Sequence, residues 1–308
     1  MDKIIQGMVT FDGKDYCLEE FAENIKALTV PENVDLSRIT VDNSADPAHS
    51  TILKHNLDGE VYWLEREKDA SSRKIICDSY NLLLDMLPED TDFLFTVEAD
   101  VFPPKGALIM LYKFMKENPK AAVVAALTGY PKKDGDDGLT HGFHKMMVYR
   151  FLKDEEQEYE EIEATDNEAM ENQKLRILQD KFGMQYLVKG EDKIVAKCKN
   201  PKTMEKLYKK HLKRVKIITN TVRIPKHPPV LPMDVDYENP ARVEGLHLGC
   251  TLIRKKILDF FKFRYEEDKD WHSDTFWFQD LMKAGLEVYS YPIVVGHQHL
   301  PWGKDVKW

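Results

Sequence analysis

The feature that most constrains the fold is a regular alternation of two apolar patterns along the first 130 residues. Short apolar runs of strand length alternate with longer segments whose apolar residues recur at helical spacing. The predicted strands are residues 3–10, 37–41, 61–64, 92–97 and 121–127, and the predicted helices are residues 16–28, 71–87 and 105–117. Strands that alternate with helices predict an α/β fold, in which a mostly parallel sheet is flanked by helices on both faces.

The same alternation returns near the end of the chain, after a middle segment of different composition. Residues 154–171 contain ten Asp or Glu and no Lys or Arg, whereas residues 189–226 contain thirteen Lys or Arg and three acids. The basic stretch predicts an amphipathic helix, and the prolines that follow it predict an extended loop. We therefore expect one domain over residues 1–308, with residues 172–236 inserted into it. The basic insertion could attract a polyanion such as DNA, or it could pair with the acidic segment of the same chain.

Composition places the chain among ordinary globular proteins. Its 308 residues suffice for one large α/β domain, and 43% hydrophobic with 31% charged residues is typical of that class. A net charge of −9 gives no overall attraction to nucleic acid or to anionic membranes. We find no signal peptide, no run of about 18 apolar residues and no CxxC pair. We therefore expect a cytoplasmic protein with reduced thiols, which could also act peripherally at a membrane.

Two carboxylates stand at the end of one apolar run, in the stretch FLFTVEADVFPP. Glu98 and Asp100 are separated by Ala99, and residues i and i+2 of an extended chain point to the same face. In α/β sheets ligands bind beyond the carboxyl ends of the strands. Two acids there repel each other unless a cation lies between them, and a divalent metal bound to phosphate oxygens would serve. The alternative is a pair of solvated loop acids.

Several segments, in their order along the chain, resemble the GT-A family of nucleotide-sugar glycosyltransferases, particularly its family 2-like members. The resemblance covers about residues 3–150 and 240–300. The motifs that carry it are ITVDNSADP, SRKIICDSYNLLLDML, the EAD variant of a DXD motif, VEGLHLGCTLIRKKIL, HSDTFWFQDLMKAG and VVGHQH. The resemblance implies a Rossmann-like GT-A fold and transfer of a sugar from a nucleotide-sugar donor. A UDP-sugar is favoured, a GDP-sugar is the alternative, and the acceptor hydroxyl could belong to a glycan, a lipid-linked sugar, a protein or a modified DNA base.

Four residues outside the EAD motif would contact the donor if the resemblance holds. Asp42 would accept a hydrogen bond from the nucleobase, although a strand-end turn acid has the same pattern. Thr10 would meet the nucleoside through its backbone. Arg73 would neutralise the diphosphate or hold Asp42, unless it belongs to a solvated helix face. Gly249 would allow close approach of the backbone to the donor or the acceptor.

The resemblance also implies a metal ion. Asp100 matches the last acid of DXD and is the first choice as ligand, while Glu98 would contact the ribose or a metal-bound water. The third ligand would be His297 or His299, with His297 preferred, although a histidine in either place could also be a surface loop residue. An imidazole ligand favours Mn²⁺ over Mg²⁺.

An acceptor hydroxyl needs a base when it attacks the anomeric carbon, and a carboxylate near the acceptor can serve. Asp274 matches the acid of the acceptor-side motif, and Asp270 and Asp280 are the fallback candidates. Asp274 could instead be a helix N-terminal acid stabilised by the helix dipole. With Asp274 as the base, the expected mechanism is a single displacement with inversion.

Two other classes of protein remain open. A nucleotidyltransferase would also have a parallel sheet and a carboxylate-bound metal, but it usually carries a glycine-rich phosphate loop after the first strand. Here that position reads GMVTFDGKDY, which contains no GxGxxG motif. An inactive nucleotide-sugar binding module is the third class, and the retained acids, His297 and Asp274 argue against it.

Overall fold

The computed structural model describes residues 1–67, 69–130, 145–146, 148–151, 159–163, 185–188, 194–197, 221–225, 230–233, 236–266 and 272–297. Between residues 129 and 232, the described residues other than Arg150 and Phe151 are described through the backbone alone. The same holds for His297. The described part divides into two compact units. The first consists of residues 1–151, 232–265 and 271–308, and the second of residues 152–231 and 266–270.

The chain contains the following strands and helices. The strands are β1 (Asp2–Thr10), β2 (Val34–Asp42), β3 (Glu60–Trp63), β4 (Phe93–Val97), β5 (Val101–Phe102), β6 (Ala121–Tyr130), β7 (Lys145–Met146), β8 (Val148–Phe151), β9 (Tyr159–Glu163), β10 (Gln185–Val188), β11 (Ile194–Lys197), β12 (Thr221–Pro225), β13 (Val230–Pro232), β14 (Ala241–Val243), β15 (Gly245–Leu246), β16 (Cys250–Arg254) and β17 (Glu287–His297). The helices are α1 (Leu18–Lys26), α2 (His49–Asn56), α3 (Ser72–Asp85), α4 (Ala107–Glu117), α5 (Lys255–Leu258) and α6 (Ser273–Lys283), with a 3₁₀ helix at Asp12–Cys17.

The main sheet of the first unit is mixed but mostly parallel. Its strand order is β14-β17-β6-β16-β4-β1-β2-β3. Strands β1 to β4 run parallel to one another, β6 and β17 are parallel, and β16 lies antiparallel between β4 and β6. The short strand β5 pairs with the end of β17. This sheet confirms the predicted α/β fold class, a mostly parallel sheet flanked by helices.

Helices cover both faces of this sheet because side chains alternate along each strand. On one face, Ile4 and Met8 of β1 belong to a buried apolar cluster that includes Phe21 of α1 and Leu111 of α4. The opposite face of β1 packs against α3, where Gly7 leaves room for buried leucines. The sheet is therefore the central layer of the unit. The helices cover its two faces, and the ends of its strands can form a site.

Most element bounds agree with the predicted ones, with two differences near the amino terminus. The predicted helix 16–28 begins as the 3₁₀ helix, and α1 follows it directly. Helix α2 was not predicted at all, because its apolar pattern is weak and Pro47 precedes it. Both differences affect the candidate site described below.

The second unit is described through strands that pair in twos. Strands β9 and β12 are antiparallel, and so are β10 and β11. The register of the first pair sets Arg223, in the basic stretch, opposite Glu161, in the acidic stretch. This pairing supports the alternative in which the two stretches neutralise each other. The predicted basic helix at residues 202–218 lies outside the described residues, and the insertion at 172–236 stays a prediction.

Two further expectations from the sequence concern the state of the cysteines and the presence of a membrane-spanning helix. Cys17, Cys77 and Cys250 are free and buried, as predicted, while Cys198 lies outside the described residues. No helix in the described part of the chain combines the length and the apolar character that a membrane crossing requires.

Candidate functional site

A cavity of about 440 Å³ lies at the carboxyl ends of β1, β2 and β4. The segment between β3 and α3 and the first half of α3 form its other walls. Its lining residues are Val9, Thr10, Phe11, Lys14, Asn43, Arg66, Glu67, Asp69, Ala70, Ser72, Ile75, Ile76, Tyr80, Glu98, Ala99 and Asp100. Three of the residues that the sequence analysis selected, in the EAD motif, line this cavity together with Thr10.

Asp100 is buried and contacts a cation from the first loop. Only 2% of its side chain is exposed, and its carboxylate accepts a hydrogen bond from the Lys14 ammonium. Lys14 belongs to the 3₁₀ helix, which is also tied to the motif through Cys17, whose thiol lies 3.3 Å from the Ala99 carbonyl oxygen. Burial raises the pKa of Cys17 to about 11, so that the thiol stays protonated and can donate. The loop after β1 thus supplies a positive charge to Asp100 and a hydrogen bond to Ala99.

Glu98 is held by the loop between β15 and β16. Its backbone N–H donates to the Gly249 carbonyl oxygen (3.0 Å), and its Oε2 lies 3.3 Å from Nε2 of His247. Nδ1 of His247 accepts a hydrogen bond from the Gly249 N–H (3.2 Å), so that in the neutral ring Nε2 carries the proton and faces Glu98. A Cβ on Gly249 would lie 2.8 Å from His247 Nδ1 and 3.0 Å from Val101 Cγ2. Because Gly249 has no side chain, the loop between β15 and β16 can lie close to the EAD segment.

Two buried side chains report that Asp274 belongs to the same region as the EAD acids. Burial raises the pKa of the Tyr80 phenol well above its usual range, and the charges of Glu98, Asp274 and Asp100 raise it further. Burial lowers the pKa of His247, and the charges of Asp274 and Asp100 act against that effect. Asp274 thus lies near enough to Tyr80 and His247 for its charge to act on both, and α6 contacts α3 and β15.

The wall between β1 and β2 is polar and carries a second cation. The Asn43 N–H donates to the Thr10 carbonyl oxygen (2.9 Å), which ties the ends of the two strands together. The Asn43 side chain donates to Ser79 Oγ (2.9 Å), while Arg66 donates to the Asn43 carbonyl oxygen. The Arg66 guanidinium lies 5.9 Å from the centroid of the Phe11 ring. An aromatic ring, an amide and a guanidinium thus line the cavity together.

Asp42 is fully buried and is not among the residues that line this cavity. Its Oδ1 accepts hydrogen bonds from the Ser44 N–H (2.9 Å) and the Ser44 hydroxyl (2.6 Å) and lies 3.1 Å from His49 Nδ1. Its Oδ2 accepts from the Ser50 hydroxyl (2.7 Å). The Asp42 carboxylate, which the sequence analysis expects to contact the nucleobase, is therefore hydrogen-bonded within its own chain. Its contact with a nucleobase stays a prediction. Asn43, the next residue, is the one that lines the cavity.

The other selected residues occupy varied positions. Arg73 is half-buried in the first turn of α3, beside the lining residue Ser72 but not in the lining itself. Asp274 lies in the first turn of α6 and accepts a hydrogen bond from the Thr275 N–H (2.7 Å). The fallback Asp280 forms an ion pair with Arg264 (2.9 Å), and Asp270 lies outside the described residues.

Three aromatic residues lie close to Asp274 in the sequence, namely Trp271, Phe276 and Trp277. Phe276 and Trp277 are completely buried and belong to the core, while Trp271 lies outside the described residues. Trp277 stacks on Phe263 at 5.2 Å, and the Arg264 guanidinium lies 4.4 Å from the Phe276 ring centroid. These contacts fix the start of α6, and with it Asp274.

The donor set for a metal ion is present in part. Carboxylate oxygens of Glu98 and Asp100 suit Mn²⁺ or Mg²⁺. The backbone of His297 pairs with Val101, directly after Asp100, so that the predicted nitrogen donor is in the strand beside the motif. His299 lies outside the described residues, as does the side chain of His297. Among the described side chains, no three metal-ligating groups lie together as a ligand set. The residues fit a cation held by Asp100, whose coordination His297 would complete.

The sequence analysis missed five residues of this region, namely Lys14, Asn43, Arg66, Tyr80 and His247. Lys14 lies in the stretch that was searched only for glycine-rich motifs, and Asn43 and His247 directly neighbour the selected residues or share their motif. No local pattern links Lys14 to Asp100, which lies 86 residues further along the chain. Tyr80 and Arg66 carry no signal that separates them from an ordinary helix and loop.

Comparison with known proteins gives distant structural likenesses alone. No protein-family model matches the chain, and no curated protein matches it in sequence. The mannosyltransferase PcManGT from Pyrobaculum calidifontis, in complex with GDP-Man and Mn²⁺, is 12% identical over 97% of this chain and 58% of its own, with a TM-score of 0.49. S. aureus TarS 1-349 is 17% identical over 49% of this chain and 41% of its own, with a TM-score of 0.33, and its complex with UDP gives the same identity and score. The chain thus matches about two fifths of the TarS fragment.

Proposed function

We propose that the chain is a glycosyltransferase that moves a sugar from a nucleotide-sugar donor to an acceptor hydroxyl, with the donor bound in the cavity at the carboxyl ends of β1, β2 and β4. The observation that carries this proposal is that Glu98 and Asp100 line the cavity while Asp274 acts electrostatically on Tyr80, one of its walls. Asp274 lies in the first turn of α6, and α6 contacts α3, the helix that carries Tyr80, so that we place the candidate base beside the leaving-group site. The motifs that resemble family 2-like GT-A enzymes support the same assignment.

Two groups of lining residues suit the two parts of a nucleoside diphosphate. Phe11, Asn43 and Arg66 offer stacking, hydrogen bonding and charge to a nucleoside. Glu98, Asp100 and Lys14 would lie beside the diphosphate and its counter-cation. We favour a UDP-sugar, with a GDP-sugar as the alternative. Asp42 stays the predicted nucleobase partner, and Asn43, whose amide is hydrogen-bonded to Ser79 and Arg66, is a second candidate.

The leaving group needs positive charge, because glycosyl transfer builds negative charge on the departing diphosphate. A divalent cation, Mn²⁺ or Mg²⁺, would act there as a Lewis acid. Asp100 and His297 would hold it, and Glu98 would face the ribose or a metal-bound water. Lys14 and Arg66 add charge from the protein itself.

Asp274 is the proposed base for the acceptor hydroxyl. It is held at the start of α6 by its contact with Thr275 and lies in a region that also contains His247 and Tyr80. A base opposite the leaving group gives a single displacement with inversion of the anomeric centre. Glycan, lipid-linked, protein and DNA acceptors remain to be screened.

The test is calorimetric titration of the protein with UDP, GDP and CDP, each with and without Mn²⁺. We expect one nucleotide to bind more tightly with Mn²⁺, and Asp100→Asn to lose that metal dependence. Asp90→Asn is the matched control, since Asp90 is an exposed acid paired with Lys3 at the other end of β1. A folded wild-type protein that binds none of the nucleotides would overturn the proposal.

A further inference from the structure

The contact between Lys14 and Asp100 puts an ammonium group where a metal ligand is expected. Asp100 is 2% exposed, and a buried carboxylate requires a compensating charge. Lys14 supplies that charge from the cavity side, with 27% of its side chain exposed. A metal ion on the same carboxylate would have to displace the ammonium, because two cations repel each other at such a distance.

The base of the Lys14 side chain is fixed, so that only its stem is free to move. Cys17 ties the 3₁₀ helix to Ala99, and the Asp12 N–H donates to Ser44 Oγ (2.9 Å). The four-carbon stem of a lysine lets the ammonium change partners without moving the backbone. Since Lys14 also lines the cavity, the space into which it would move is the space proposed for the diphosphate.

We propose that Lys14 and the divalent cation compete for Asp100, and that the donor's diphosphate relieves this competition by accepting Lys14. This inference rests on the proposed function. Without nucleotide, Lys14 occupies Asp100 and weakens metal binding. With nucleotide, the ammonium moves to the phosphate oxygens and the metal takes its place on Asp100. Metal and nucleotide therefore bind cooperatively, and by linkage each raises the affinity of the other by the same factor.

The experiment measures the affinity of Mn²⁺ alone, of the best nucleotide alone, and of each in the presence of the other, by calorimetry. The variants are Lys14→Met, which removes the charge, and Lys14→Gln, which keeps a hydrogen-bond donor for Asp100. Lys3→Met is the control. Lys3 pairs with Asp90 and is 25% exposed, nearly the same as Lys14, but it lies at the amino end of β1.

We expect Lys14→Met to bind Mn²⁺ alone about tenfold more tightly than the wild type, to bind the nucleotide more weakly, and to lose most of the coupling factor. Lys14→Gln should show the same direction of change, and it carries the test if loss of the ammonium beside Asp100 prevents Lys14→Met from folding. Lys3→Met should match the wild type. Unchanged or weaker Mn²⁺ binding in both Lys14 variants would overturn the inference.

The two proposals fail in different ways. A wild-type protein that binds no nucleotide overturns the proposed function. A wild-type protein that binds nucleotide and Mn²⁺ with a coupling factor that the Lys14 variants leave unchanged overturns only the role of Lys14. Tighter Mn²⁺ binding by the Lys14 variants supports the competition at Asp100 by itself, because that titration contains no nucleotide.

Discussion

The imidazole of His49 lies between two carboxylates, with Nδ1 3.1 Å from Asp42 Oδ1 and Nε2 2.8 Å from Asp15 Oδ1. Asp42 ends β2 and Asp15 belongs to the 3₁₀ helix that carries Lys14. His49 is 5% exposed. Burial lowers its pKa, but the hydrogen bonds to Asp15 and Asp42 outweigh burial, and the pKa lies above its ordinary value. One imidazole ring thus connects the loop after β1 to the start of α2.

This arrangement predicts a stability that depends on pH. Because the pKa of His49 is raised by folding, its contribution is fully present below the unfolded value of about 6.5 and is lost as the pH rises through the folded value. We expect His49→Gln to lower the free energy of unfolding by about 1–3 kcal/mol at about pH 6, and by less at higher pH. Urea unfolding between about pH 6 and pH 9 measures this change.

The control for this prediction is His55→Gln, since His55 is exposed on the same helix. It should leave both the free energy of unfolding and its slope with pH close to those of the wild type. Equal slopes for the wild type and His49→Gln would show that the ring is not charged in the folded protein.

His247 gives a prediction about Glu98. The ring accepts from the Gly249 N–H through Nδ1 and faces Glu98 through Nε2. A glutamine amide nitrogen reaches the position of Nε2, whereas an asparagine amide reaches only that of Nδ1. On our proposed function, we expect His247→Asn to weaken nucleotide binding about tenfold, or about 1.4 kcal/mol, and His247→Gln to stay close to the wild type.

Calorimetry of both variants, with thermal unfolding to check the fold, decides the point. If the two variants lose the same affinity, then the hydrogen bond to Glu98 does not determine how that acid is oriented. If neither loses affinity, Glu98 does not contact the nucleotide.

Asp274 and Asp280 lie on the same helix, and a comparison of their variants distinguishes a catalytic role from a structural one. Asp274→Asn keeps the oxygen that accepts from Thr275, so that the helix start is preserved while the base is lost. We expect its rate of sugar transfer, or of donor hydrolysis, to fall by about 10²–10⁴-fold with little change in nucleotide affinity. Asp280→Asn weakens the ion pair with Arg264 and should keep its rate. A rate for Asp274→Asn within a few fold of the wild type would exclude Asp274 as the base.

Prediction of the fold from sequence succeeded where periodicity is strong, and missed helix α2. Strands β1 and β4 and helix α3 carry clear patterns, and the carboxyl ends of the strands located the EAD motif at the cavity. Helix α2 has a weak pattern, so that the hydrogen bonds of its first residues, His49 and Ser50, to Asp42 could not be predicted. The contact between Lys14 and Asp100 spans 86 residues, and no local pattern encodes such a pair.

Gly7 tests how tightly α3 packs on the sheet beneath the cavity. It lies in β1 opposite Ile39 and Thr96, and a Cβ there would come within 2.7 Å of Leu83 Cδ2 and Leu94 Cδ1. Both leucines are fully buried, so that neither side chain has free space to move into. Relief would require a shift of α3, and we expect Gly7→Ala to lower the free energy of unfolding by about 1–3 kcal/mol.

The same shift should reach the cavity, because Ile75, Ile76 and Tyr80 of α3 line it. We therefore expect Gly7→Ala to weaken nucleotide binding as well as stability, measured by calorimetry and by urea unfolding. Gly106→Ala is the control, since the nearest heavy atom to its added Cβ is Met110 Sδ at 3.9 Å, and it should stay within about 0.5 kcal/mol of the wild type. A Gly7→Ala protein as stable as Gly106→Ala would mean that the leucines repack without moving α3, and nucleotide affinity should then be unchanged.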